Sequence, residues 1–306
     1  MERAAAMQRK LRGSEPHPDV AEAVNDLALL MWQRGDYDVA AQLFGESIAM
    51  YRRVLGDKHP YIAAELSNLA ATLRDKGDLS RAEPIYEQAL AMNRELLGDT
   101  HPAVADLLNE LASAQYAQGD VAHALANERE SLAIYRRVFT KDNLEVARVL
   151  NRIGFWLTLA GQYDEADRDT RDALEMRRRL VGERHPDVAS SLIVLATLEV
   201  AQGKFSDALE SARSAAEIYT ASLSATHWRT AASESAEGAA LTGLGRYPEA
   251  ETLLTHSYAV LSKDSGAPPS FRTLAEQYRD TLHRRERLAN RPRAPSPANV
   301  AVVAGH

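Results

Sequence analysis

Gly35, Gly77, Gly119, Gly161, Gly203 and Gly245 stand 42 residues apart without a slip, and Ala40, Ala82, Ala124, Ala166, Ala208 and Ala250 follow them by five positions each. A fixed period of this length makes the chain an array of like units. Each unit is too small to bury its own apolar face and is completed by its neighbours. A second marker keeps the same beat: His17-Pro18, His59-Pro60, His101-Pro102 and His185-Pro186. Such a stack presents an extended surface more readily than one closed pocket, so the sequence asks what is held rather than which reaction is run.

One unit, residues 59–98, shows how the pattern folds. Ile62, Leu66, Leu69, Ala70 and Leu73 recur at spacings of three and four, the stripe of an amphipathic helix. Pro60 suits a first helical position, where a missing N–H costs nothing, and His59 sits where the cap belongs. Gly77 then supplies the positive φ that ends a helix. A second stripe runs through Leu79, Ala82, Ile85, Tyr86, Ala89 and Leu90 to Leu96 and Leu97, and Gly98 closes it before the next His-Pro. The unit is helix A, a tight turn, and helix B. Ala82 and Ala89 lie two turns apart on one face, where a larger side chain would overpack the helix contact at a cost of roughly 1–3 kcal/mol.

Two units depart from the pattern. At Lys141-Asp142-Asn143-Leu144 the His-Pro is missing, and either an Asp142–Glu145 capping box or Asn143 alone can start the helix in phase. The sixth unit opens on His227-Trp228 and carries Gly238 and Gly243 as well as Gly245, which predicts the most easily frayed unit.

Apolar residues make up 45% of the 306 and charged residues 26%, enough apolar surface for a repeat-by-repeat core. The formal net charge of −7 gives nucleic acid no general electrostatic reason to bind. The basic runs Arg177-Arg178-Arg179 and Arg284 to Arg293 have no stacking aromatics beside them. There is no cysteine, so disulfides and thiolate metal sites are excluded. With no long apolar run for a bilayer and no apolar signal-peptide core, the expected location is cytoplasmic, away from membranes. No GxxxxGK[ST], HExxH or GxSxG motif is present, and the His-Pro histidines, one per layer, cannot converge on one ion. The expectation is a protein that is not an enzyme and needs no cofactor or metal.

Glycine at the inter-helix turn, Tyr37, Leu79, Val121, Tyr163, Phe205 or Tyr247 two residues on, and alanine three further resemble the tetratricopeptide repeat. The 42-residue length and the run Leu97-Gly98-Asp99-Thr100-His101-Pro102-Ala103-Val104-Ala105 are similar to its kinesin-light-chain-like subclass. The resemblance implies an all-α fold, an α-solenoid in which antiparallel helix pairs form a right-handed superhelix and helices A line a concave groove. It divides the chain into residues 1–13, a partial B-type helix or N-terminal cap; 14–268, six tandem units; 269–290, a C-terminal capping helix; and 291–306, a disordered Pro/Ala-rich tail. Ala5 to Gly13 reads like Ile48 to Gly56, so the chain starts inside a B-type pattern. That start is compatible with a shortened cap and with the tail of a longer protein.

In register, Asn25, Ser67, Asn109, Asn151, Ile193 and Ser235 share one place on helix A, and by resemblance that place faces the groove. Asparagine is a mediocre helix former whose amide both donates and accepts, which suits contact with a ligand backbone or hydrogen bonds between neighbouring A helices. One turn on, Phe155 adds apolar surface; a turn further come Trp32, Arg74 and Tyr116. The candidate peptide-binding groove is Asn25, Asn68, Arg74, Asn109, Tyr116, Arg148, Asn151, Arg152 and Phe155, with the arginines receiving acidic groups. The expected function is a scaffold holding an extended segment of a partner protein. The other reading is a regulatory or recruitment module of a bacterial signalling protein such as a serine/threonine kinase.

Overall fold

A computed structural model describes residues 17–224, 226–264 and 266–289. The cap expected at 1–13 and the tail expected at 291–306 lie outside the described residues. Within them are thirteen α-helices: α1 Pro18–Gln33, α2 Tyr37–Leu55, α3 Pro60–Lys76, α4 Leu79–Leu97, α5 Pro102–Gln118, α6 Val121–Val138, α7 Leu144–Leu159, α8 Tyr163–Val181, α9 Pro186–Ala201, α10 Phe205–Ser222, α11 Trp228–Gly243, α12 Tyr247–Lys263 and α13 Pro269–Ala289. The fold is all-α, built as an α-solenoid of antiparallel pairs, and the described residues contain no strand.

The chain divides into two compact units at Trp156/Leu157, inside α7. In the first, α1 packs on α2, α3 on α4 and α5 on α6, and each hairpin leans on the next through α2–α3 and α4–α5. In the second, the contacts run from α8 to α9, α10, α11 and α12, and α13 lies against both α11 and α12.

The start of each A helix has a local cause. The His17, His59, His101, His185 and His227 imidazoles accept a hydrogen bond at Nδ1 from the backbone N–H two residues on, at 3.1–3.2 Å. That occupies one of the four N–H groups a helix leaves open, an interaction typically worth ~1 kcal/mol. Where the His-Pro is missing, Asn143 Oδ1 accepts from Glu145 N at 2.7 Å, so the single-residue cap starts α7. At Gly77, φ is +90°, its N–H reaches Arg74 O, and Asp78 N donates to Leu73 O at 2.8 Å, which closes α3 with two bonds.

The alanine column is the contact surface. Ala40, Ala82, Ala124, Ala166, Ala208 and Ala250 are all fully buried. A small side chain in each B helix brings the hairpin partners close, and larger residues such as Phe44, Tyr86 and Leu254 fill the space one turn on. In the sixth unit the glycines serve the same end. A Cβ on Gly238 would come within 2.6 Å of Leu254 Cγ, and one on Gly243 within 2.2 Å of the Phe205 ring. At both glycines the missing methyl makes room for a neighbouring side chain.

Candidate functional site

In the first unit the residues that follow the A-helix register touch the next A helix in turn. Trp32 Nε1 on α1 donates to Asp75 Oδ2 on α3 at 2.9 Å. Arg74, also on α3, pairs with Glu110 on α5 and with Asp75 beside it. Tyr116 on α5 stacks on Trp156 of α7, with ring centroids 4.5 Å apart and planes 4° from parallel. Arg152 lies 5.7 Å over the same Trp156 ring. A strip of aromatic and charged side chains therefore crosses α1, α3, α5 and α7. Trp32, Arg74, Tyr116 and Arg152 are half-buried, so the strip meets solvent on one side.

The arginines in this strip already have carboxylates. Arg152 meets Glu128 of α6 at 2.5 Å, and Glu128 is fully buried. Burial pushes the Glu128 carboxyl up and the Arg152 cation draws it back. A buried carboxylate is tolerable only with such a partner. Arg148 pairs with Glu145 at 2.6 Å and is 40% exposed. Tyr86 of α4, fully buried beside Arg74, has its hydroxyl pushed up chiefly by burial. An acidic group on a ligand would have to share or displace these internal partners.

The structure divides the nine expected residues into two sets. Asn25, Asn68, Arg74, Tyr116, Arg148 and Arg152 are half-buried on the A helices. Asn109, Asn151 and Phe155 are buried, with exposures of 2%, 8% and 7%. Asn109 Nδ2 donates to the Tyr135 hydroxyl at 3.3 Å, and that hydroxyl donates to Asp106, so this amide ties α5 to α6. The Oδ1 atoms of Asn25, Asn109 and Asn151, in one register, are shut from solvent without a hydrogen-bond partner.

Two participants are absent from the sequence-level set. Glu128 falls in the B-helix column that reads Phe44 and Tyr86 in the two preceding repeats, and a carboxylate replacing an aromatic was a readable signal. Trp156 follows Leu30, Thr72 and Ala114 in its column, so register alone marks it as core.

The sequence matches the family model described as tetratricopeptide repeat over residues 19–95, 61–137 and 145–221. No curated protein matches it. Among solved structures it is similar to the nearly identical tetratricopeptide-like repeats of a kinesin light chain from Podosopora anserina, at 23% identity and a TM-score of 0.55 over 67% of this chain and 97% of that one. It is also similar to BtubC (BKLC) from P. vanneervenii, at 20% identity and a TM-score of 0.61 over 75% of this chain and 92% of that one. A third is the signal transduction ATPase with a tetratricopeptide repeat sensor from Pyrococcus horikoshii, at 16% identity and a TM-score of 0.64 over 90% of this chain and 40% of that one. At these identities the likeness is one of fold.

Proposed function

The chain belongs to the tetratricopeptide repeat family, whose repeats mediate protein–protein interaction, and on that premise we propose that it is a non-catalytic scaffold holding an extended peptide segment of a partner against α1, α3, α5 and α7. The observation that carries this reading is the series of contacts Trp32–Asp75, Arg74–Glu110 and Tyr116–Trp156 across four successive A helices, with Trp32, Arg74 and Tyr116 half-buried. Asn25, Asn68, Arg74, Tyr116, Arg148 and Arg152 offer the contacts, and Asn109, Asn151 and Phe155 form the wall behind them. The enclosed Oδ1 acceptors of Asn25, Asn109 and Asn151 give a backbone N–H somewhere to bind once the side-chain amides turn outward. In this reading residues 14–268 are the binding array and α13 caps its end. No described helix is long and apolar enough to cross a membrane.

The test is affinity capture from native lysate with the wild type and an Asn68→Ala/Arg148→Ala double variant. Both side chains are partly exposed, so the variant should melt within about 1 kcal/mol of wild type. A partner retained by the wild type and lost from the variant supports the strip as the site. Equal retention removes the partner from this face. The recruitment-module reading is favoured by the Pyrococcus horikoshii likeness, where the repeats are named a sensor. It calls for a signalling enzyme among the partners retained.

A further inference from the structure

Glu251 on α12 and His283 and Glu286 on α13 bring one ligand atom each to within 4.8 Å of the other two. The helices that carry them are fixed by the core immediately beside the cluster. Ala250 and Leu254 on α12 and Leu282 on α13 are fully buried in one apolar group with Leu241. His283 and Glu286 are three apart and so share a face of α13. Glu251 Oε1 accepts from Thr255 Oγ1 at 3.3 Å, while Oε2 lies 3.9 Å from His283 Nδ1, too far for a hydrogen bond. The arginines in the same stretch are turned to other acceptors. Arg284 reaches Asp280 O and Thr281 Oγ1, Arg285 covers the Phe205 ring, and Arg287 Nε donates to His283 O.

We infer that Glu251, His283 and Glu286 form a site for one divalent transition-metal ion of the zinc class, pinning α13 to α12. Imidazole with two carboxylates is a donor set such ions accept, at metal–ligand distances of about 2.0–2.2 Å. The side chains are half-buried, and water would complete the coordination. Thr255 orients the Glu251 carboxylate from outside the site, the part played by hydrogen-bonded groups around metal ligands generally. The ion would balance two glutamates set close together and add a cross-link between α12 and α13.

Calorimetric titration of the metal-stripped full chain with zinc tests this. About one ion per chain is expected, and His283→Ala or Glu251→Gln should each bind at least about tenfold more weakly. His256→Ala removes a histidine that pairs with Glu234 outside the cluster and should leave the affinity unchanged. Amide exchange in α12 and α13 should slow when zinc is added to wild type and stay the same in His283→Ala. No saturable binding, or binding indifferent to His283 and Glu251, overturns the site. Weakening by His256→Ala alone overturns it too, by placing the ion elsewhere.

Discussion

Glu65 shows what one buried proton does. It is 4% exposed on α3, and Ser47 on α2 lies between it and the Ala21 carbonyl on α1, with Ser47 Oγ 2.9 Å from Ala21 O and 3.0 Å from Glu65 Oε1. A hydroxyl has a single proton, and a carbonyl has none to give. Ser47 therefore donates to Ala21, and Glu65 completes the chain of bonds only when it carries a proton of its own. Burial pushes the Glu65 carboxyl up to about 7, and nearby Asp26 adds to the rise. The folded protein thus holds a proton that the unfolded chain releases above its ordinary carboxylate range. The stabilising contribution is full below the unfolded value and is lost as pH rises through about 7. Glu65→Gln, neutral at every pH, should melt above the wild type at pH 8 and converge with it near pH 5. A gap that stays constant between the two would show that Glu65 does not titrate in that window.

Glycine has opposite meanings in two helices, and the packing around each decides which applies. Gly45 is exposed within α2, and a Cβ there would meet nothing within 4 Å. Gly45→Ala should raise stability by about 0.5–1 kcal/mol through helix propensity alone. Gly243 ends α11 against Phe205, where the added carbon would sit 2.2 Å from the ring. Gly243→Ala should lower stability by roughly 1–3 kcal/mol despite the same gain in propensity. Thermal melts of the two variants check the sign, and two shifts in the same direction would remove packing as the cause. Much of the element-scale structure was legible in the sequence. The alanine column, the histidine caps and Gly77 are local rules repeated at a fixed period, so position in the repeat specifies the role. Gly243 was not, because its constraint comes from a side chain 38 positions earlier in the chain. The site was less legible for a related reason. Asn109 and Asn151 share one register position on the A helices, but their depth is set by neighbouring helices. The Glu128–Arg152 pair joins two columns that register keeps separate.

At the scale of the whole chain, repeats that contact chiefly their neighbours make stability a sum of local terms, so damage to one unit need not reach the other. Each of the two compact units has a core of its own: Ala28, Met31, Ala40 and Phe44 in the first, and Leu241, Ala250, Leu254 and Leu282 in the second. Arg152→Ala probes this directly. It would strand the fully buried Glu128 carboxylate, a loss of about 3–5 kcal/mol when one partner of a buried pair is removed. Because Glu128 lies on α6 and Arg152 on α7, hydrogen exchange should accelerate first in α5, α6 and α7, while α11, α12 and α13 keep wild-type protection. Glu128→Gln added to Arg152→Ala should recover part of the lost protection, since an amide costs less than a charge to leave without a cation. Uniform acceleration from α1 to α13 would mean that the array opens as one cooperative block. In that case a ligand held by the strip in the first unit would stabilise α13 as well, and binding at one end would be felt at the other.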